Sequence, residues 1–186
     1  NIDDYDANYA CGEIFGGANY VAKTAGAHGN NLLVSTCPSA TAYSQELASG
    51  NSVNGAGAVG DTTITVDDAD LASNVINVGD IIQFSSTAST TDFDDGEFYR
   101  VTAVNTSTNV VTFVQHPRGS GGLKRVVADN SRIKRRWRYY DAVDGGAPGT
   151  SKFVSDRSGS GDEIHIVIVD EDGGISGTKG DVLETY

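Results

Sequence analysis

The sequence predicts an α+β fold rich in β structure, with a mixed sheet, a few helices and an inserted small antiparallel β-barrel or sandwich. Segments with alternating apolar and polar residues recur between residues 62 and 114, a pattern typical of half-buried strands. The 23 glycines and three prolines follow no fixed period and indicate many tight turns. A nearly unbroken run of isoleucine and valine within residues 163–170 predicts a buried central strand.

The N-terminal part of the chain predicts two helices and a strand. Apolar residues at spacings of three and four predict a helix from Asp3 to Ala25, and the acids at its start oppose the helix dipole. The run Leu32-Leu33-Val34 predicts a buried strand, and residues 41–48 predict a short second helix.

The pattern changes after Gly50. Strands are predicted at 62–66, 75–84, 98–104 and 110–114, and the polar turn at 105–109 joins the last two as a hairpin. We therefore predict an inserted β-barrel-like domain over 56–117. Residues 1–55 and 118–186 would then form a discontinuous α/β domain around it.

The C-terminal part predicts two more strands and a third segment that begins either a strand or a helix. Residues 152–155 predict a short strand, and residues 163–170 predict a central strand buried on both faces. A turn at 171–174 then leads to a further strand or helix start at 181–186.

Composition excludes several classes of protein. A net charge of −12 argues against direct nucleic-acid binding, which needs excess lysine and arginine. No apolar run approaches the roughly 20 residues that span a bilayer, so we expect no membrane insertion. Cys11 and Cys37 are too few for a disulfide scaffold and form no CxxC pair. The absence of methionine indicates a processed product or a piece of a larger protein.

Motifs associated with catalysis or cofactors have simpler interpretations here. Residues 55–60 match GxGxxG, but a strand follows where a dinucleotide site needs a helix. Asp170 could begin a calcium loop, but the sixth and twelfth positions hold Ile175 and Asp181, so a hairpin turn is favoured. The acids of residues 92–97 are the one candidate cluster for a hydrolase, and they predict a loop. We expect no catalytic residue, metal or cofactor.

Basic residues are concentrated in one strip. Eight of the 13 lie between Arg118 and Arg138, with one acid among them. If residues 133–140 form a strand, alternate positions make one packed face and one cationic face. The strip invites a nucleic-acid interpretation, with its aromatic residues as stacking platforms. On an acidic protein we favour contacts with copies of itself. The candidate subunit interface is Lys134, Arg135, Arg136 and Arg138.

The C-terminal third resembles the tail sheath protein of contractile-tailed bacteriophages. The resemblance rests on APGTS at 147–151, DEIHIVIVDEDG at 162–173, ISGTKG at 175–180 and VLE at 182–184, in the family's order and spacing. It implies a structural subunit without enzymatic activity, which polymerises around the tail tube and contracts to drive genome delivery.

The resemblance also implies partners and a location. The partners would be other copies of the sheath protein, the tail tube and baseplate proteins, and the protein would belong to the virion after assembly in the host cytoplasm. The chain would be a fragment lacking the terminal arms. The alternative is a surface-adsorption module that binds a host glycan through the 56–117 region, using whichever of Phe93, Phe98, Tyr99 and Phe113 are exposed.

Overall fold

The computed structural model describes residues 20, 22, 27–67, 76–93 and 97–186. The helix predicted over residues 3–25 lies outside these ranges except for Tyr20 and Ala22. The start of the strand predicted at 75–84 also lies outside them.

The described residues form an α+β fold dominated by strands, as the sequence predicted. Two helices of one turn each, α1 and α2, accompany nine strands, and 3-10 helices occur at Ala27–Asn31 and Ser49–Asn51. The bounds are β1 Leu32–Cys37, α1 Ala40–Tyr43, β2 Ser44–Glu46, β3 Thr63–Thr65, β4 Ile81–Ala88, β5 Phe98–Asn105, β6 Val110–His116, β7 Ser131–Arg136, α2 Lys152–Ser155, β8 His165–Asp170 and β9 Asp181–Thr185.

The strands form two sheets. One has six strands in the order β2-β7-β4-β5-β6-β3, and the other has three in the order β1-β8-β9. All their pairings are antiparallel, so the prediction of a mixed sheet was wrong. Parallel neighbours need crossover connections of a dozen residues or more, whereas the segments that join β5 to β6 (106–109) and β8 to β9 (171–180) are shorter. The predicted hairpin at 105–109 is confirmed, and the closed barrel stays a prediction.

The six-stranded sheet extends beyond the predicted insertion at 56–117. Its strands β2 and β7 lie outside those limits, yet β7 pairs with β4 through Ile82 and Arg135, and β2 pairs with β7 through Gln45 and Arg135. The six-stranded sheet therefore includes strands from outside residues 56–117.

Two short segments were assigned the wrong structure from sequence. Residues 44–46 belong to β2 rather than to a helix over 41–48, because they pair with residues 134–136. Residues 152–155 form α2 rather than a strand, and the Ser151 hydroxyl caps this turn by accepting a hydrogen bond from the Val154 N–H. In both cases contacts outside the segment decide its structure.

Each sheet has its own apolar cluster. The larger cluster belongs to the six-stranded sheet and contains Leu47, Val53, Ile64, Val66, Ile76, Ile82, Phe84, Tyr99, Val101, Val111, Phe113, Leu123, Val127 and Ile133. The smaller cluster packs the chain that follows β7 against the three-stranded sheet through Cys37, Trp137, Tyr139, Val167 and Val169. The indole N–H of Trp137 also donates a 3.0 Å hydrogen bond to the Ser35 hydroxyl of β1. The residues after β7 therefore connect the two sheets.

The central position predicted for β8 is confirmed, but its two faces differ. Val167 and Val169 are at most 1% exposed and face the smaller cluster. Ile166 and Ile168 on the opposite face are half-buried and line a cavity. Among the described residues, β8 is thus fully buried on one face only.

Candidate intersubunit interface

The alternation predicted for the basic strip is present along β7. Ser131, Ile133 and Arg135 are buried, whereas Lys134 and Arg136 are half-buried. β7 lies between β2 and β4. Because side chains alternate along a strand, one face of β7 meets the apolar cluster through Ile133 and the other face points away from it.

Arg135 lies on the buried face and is 8% exposed. Its guanidinium donates hydrogen bonds to the carbonyl oxygens of Thr41 (2.8 Å) and Ala42 (3.0 Å). Its Nη1 lies 3.8 Å from the carboxylate of Asp80, whose pKa is raised by burial and only partly lowered by the Asn77 N–H and by Arg135. Arg135 therefore anchors α1 against the sheet and is already engaged inside the molecule.

Lys134 and Arg136 share the outward face with a third cation, Arg100 of β5. Ile81 of β4 pairs with Arg136 on one side and with Arg100 on the other, so Arg136 and Arg100 lie in one row across the sheet, and Lys134 lies two residues along β7 on the same face. Cross-strand partners project from the same face. We call Arg100, Lys134 and Arg136 the basic face.

Aromatic rings hold two of these cations in position. The guanidinium carbon of Arg136 lies 5.0 Å from the ring centroid of Phe98 and 5.3 Å from that of Tyr140. The Lys134 ammonium lies 5.7 Å from the ring centroid of Phe93. Each such cation–π contact contributes about 0.5–1 kcal/mol at an exposed site and orders a long side chain.

The charge of the basic face is not neutralised by the residues that the structure describes. Nearby Arg132 pairs with Glu46 at 3.0 Å, and Arg125 pairs with Glu97 at 2.9 Å. In the described ranges, by contrast, no ion pair is formed by any of the three cations of the basic face. Glu46, the cross-strand neighbour of Lys134, is engaged by Arg132, so the three cations have no ion-pair partner within the described ranges.

Arg138 lies apart from the basic face. It follows the end of β7, its guanidinium carbon is 4.9 Å from the Tyr139 ring centroid, and it lines a cavity of about 400 Å³ together with Asp80 and Arg135. Of the four residues named from sequence, the structure brings Lys134 and Arg136 together and adds Arg100. Alternation places Arg100 outward on β5, but only strand pairing reveals its neighbours.

His116 lies at the border of this face, opposite Phe98 in the β5–β6 pairing. Burial lowers the pKa of His116, with Arg100 lowering it further and Asp141 opposing both. Because the ordinary value is already near 6.5, the imidazole is neutral at pH 7. The positive charge of the face therefore comes from Arg100, Lys134 and Arg136.

The described ranges also show where the GxGxxG match lies and whether acidic, histidine and cysteine side chains are grouped. Gly57 of the GxGxxG match forms an isolated bridge with Val127, and strand β3 follows it. Within these ranges no three or more histidine, cysteine, aspartate or glutamate side chains are grouped to hold a metal ion. The same part of the chain has no helix with the length and apolarity of a membrane span.

Comparison with known proteins adds no identification. No family model matches the chain, and no curated protein matches it.

Proposed function

We propose that this chain is part of a structural subunit of a bacteriophage contractile tail sheath, which polymerises around the tail tube and has no enzymatic role. The observation that carries the proposal is the basic face, whose three cations form no ion pair with any residue that the structure describes, on a protein of net charge −12. A basic surface on an acidic body favours association with further copies. The resemblance of residues 147–184 to the sheath family supplies the identity of the polymer.

Contacts of this kind suit a polymer whose subunits must change neighbours. Polar, partly exposed interfaces bind less permanently than the apolar interfaces of obligate oligomers. The aromatic contacts of Lys134 and Arg136 order these side chains before a partner arrives, which reduces the entropy lost on binding. The basic face would then bind a carboxylate-rich surface of another copy.

The glycan-binding alternative is less well supported by the same residues. Of its four candidate aromatics, Tyr99 and Phe113 are at most 1% exposed and belong to the core. The other two, Phe93 and Phe98, have their rings near Lys134 and Arg136. On the ring face nearest the cation, a sugar would have to compete with Lys134 or Arg136 in order to stack.

Charge reversal of the basic face tests the proposal. In the protein that contains this chain, Arg100→Glu/Lys134→Glu/Arg136→Glu is expected to abolish sheath polymers in electron microscopy and sedimentation, because like charges would then meet. The matched control, Lys152→Glu/Arg157→Glu/Lys179→Glu, changes the net charge equally at exposed positions elsewhere and should polymerise normally. Arg135 is left unchanged, because a carboxylate there would face Asp80 inside the fold. Normal polymers from the first variant would refute the proposal.

A further inference from the structure

Asn54 and Gly55 form the only Asn-Gly pair in the sequence. Both residues are exposed, and Gly55 has a φ of +79° in the turn that follows the bridge between Val53 and Val66. Glycine has no Cβ atom, so its backbone nitrogen is the least hindered in approaching the side chain of the residue before it. This pair is therefore the place in the chain where a backbone nitrogen can most easily attack a side-chain amide.

The reaction open to this pair needs only water. The Gly55 nitrogen attacks Cγ of Asn54, the bond from Cγ to Nδ2 breaks, and the proton of the Gly55 N–H leaves with the amide nitrogen as ammonia. Water then opens the cyclic imide at one of its two carbonyls, which leaves either aspartate or isoaspartate at position 54. The product carries a carboxylate where the chain had a neutral amide.

Both reacting groups are hydrogen-bonded to carboxylates. The Asn54 amide donates from Nδ2 to Oδ1 of Asp67 at 2.7 Å, and the Gly55 N–H donates to Oδ1 of Asp129 at 2.8 Å. An ionised carboxylate only accepts hydrogen bonds, so neither acid can give a proton to the departing nitrogen. The attack also develops negative charge on the amide oxygen of Asn54, and two nearby negative charges oppose that development.

Backbone hydrogen bonds on both sides keep the turn in this arrangement. The Asn54 N–H donates to the carbonyl of Thr65 at 2.9 Å, next to the end of β3. The Val53 N–H donates to the carbonyl of Ser131 at 3.0 Å, at the start of β7. Moving the turn away from its two carboxylates therefore requires local opening of the chain, which has its own free-energy cost.

We propose that Asn54 is a site of spontaneous deamidation and that the native fold slows the reaction through Asp67 and Asp129. Once the reaction has occurred, a carboxylate stands where the amide nitrogen lay 2.7 Å from Asp67. Two ionised carboxylates at such a distance repel each other, so the product turn separates from Asp67 and is less stable. The inference is independent of the proposed function.

Peptide mapping by mass spectrometry, after incubation of the full chain at mildly alkaline pH, tests the proposal. Asn54 should exchange NH2 for OH slowly in native wild type and at least several-fold faster in urea. Asp67→Ala and Asp129→Ala should each react faster than wild type under native conditions and at the wild-type rate in urea. The matched control Asp61→Ala removes the same charge from a carboxylate that accepts from the Ala58 N–H, and should react like wild type.

Circular dichroism at the incubation temperature establishes which variants remain folded, and only folded variants enter the native comparison. No reaction at Asn54 in urea would exclude the site. Equal rates for native and unfolded wild type would show that the fold gives no protection. A native rate unchanged by the loss of either carboxylate would remove the roles of Asp67 and Asp129.

A stability measurement gives a second readout that does not need the Asp67 and Asp129 variants to fold. Asn54→Asp installs the product carboxylate beside Asp67 and is expected to lower the urea midpoint of unfolding. The control is Asn105→Asp in the β5–β6 turn, where Oδ1 of Asn105 accepts from the N–H groups of Ser107 and Thr108 and a carboxylate can keep both bonds. Equal midpoints for the two variants would overturn the contact between Asn54 and Asp67 on which the proposal depends.

Discussion

Asp170 shows how a single buried carboxylate organises a loop. It ends β8 with 0% exposure, and its oxygens accept hydrogen bonds from the N–H groups of Gly173 (2.9 Å), Ile175 (2.8 Å) and Ser176 (2.6 Å). The Ser176 hydroxyl adds a fourth at 3.1 Å. The acid that begins the apparent calcium loop thus holds the β8–β9 turn through donors of the chain itself.

These donors also set the titration of Asp170. Burial by itself would raise the pKa of this carboxyl, but the hydrogen bonds from Ser176, Ile175 and Gly173 outweigh burial and hold the pKa below its ordinary value. A carboxyl with a depressed folded-state pKa stabilises the protein above its unfolded pKa, near 4. This stabilisation is lost as the pH falls through the folded-state pKa.

Asp170→Asn is therefore expected to lower the melting temperature at pH 7, since an amide cannot accept all four bonds without placing its own N–H groups against donors. The difference from wild type should begin to shrink as the pH falls below about 4 and vanish only below the lower folded-state pKa, where the carboxyl of folded wild type is protonated as well. Thermal unfolding followed by circular dichroism at several pH values measures both effects. Asp172→Asn, in the same turn but exposed, should leave the melting temperature nearly unchanged.

At the scale of elements, a close backbone contact fixes the end of the six-stranded sheet. The Gly60 N–H donates to the Leu123 carbonyl at 2.8 Å, and the Leu123 N–H donates to the Asp61 carbonyl at 2.8 Å. The chain between β6 and β7 therefore lies directly on the turn before β3. At Gly122 a Cβ atom would lie 2.2 Å from the carbonyl oxygens of both Gly60 and Asp61.

Gly122→Ala should separate these two segments and lower the free energy of unfolding by about 1–3 kcal/mol, the usual cost of overpacking. The control is Gly50→Ala, because a Cβ at Gly50 meets no atom within 4 Å. Urea unfolding of the two variants measures the difference. Equal urea midpoints for the two variants would show that the backbone near Gly60 moves to make room for the added Cβ atom without loss of stability.

At the scale of the whole molecule, charge is divided between regions. The strip from Arg118 to Arg138 holds eight basic residues and one acid, whereas residues 141–186 hold ten acids and three basic residues. The fold brings the cations Arg100 and Arg136 into one row although they are far apart in sequence. Cations of β5 and β7 thus share one face of the sheet while acids predominate along 141–186, and head-to-tail contacts between copies join two different surfaces of a subunit.

Association through such surfaces should depend on ionic strength. Raising the salt from about 0.1 M to about 1 M shortens the screening length from about 10 Å to about 3 Å, so self-association of the chain should weaken. Sedimentation velocity at several protein concentrations measures this change. The basic-face triple variant should associate weakly at both salt concentrations, and association that strengthens with salt would point instead to an apolar contact.

What the sequence alone determined is local in origin. The period of two along 131–136 follows from the pleat of a strand, so the division of β7 into a packed and a cationic face could be predicted before any neighbour was known. The same local reasoning identified the β5–β6 hairpin and the central strand β8. Local reasoning also identified Lys134 and Arg136 of the candidate site. It predicted that Arg135 lies on the packed face, where the residue is buried.

The tertiary structure decided everything that depends on which strands lie side by side. Arg100 joins Arg136 only because both β5 and β7 pair with β4, and Arg135 is engaged because the sheet brings it beside Asp80 and the carbonyls of α1. Residues 44–46 became a strand for the same reason. Pairing between distant segments depends on hydrogen bonds and burial gained across long loops, and a one-dimensional pattern contains no record of those partners.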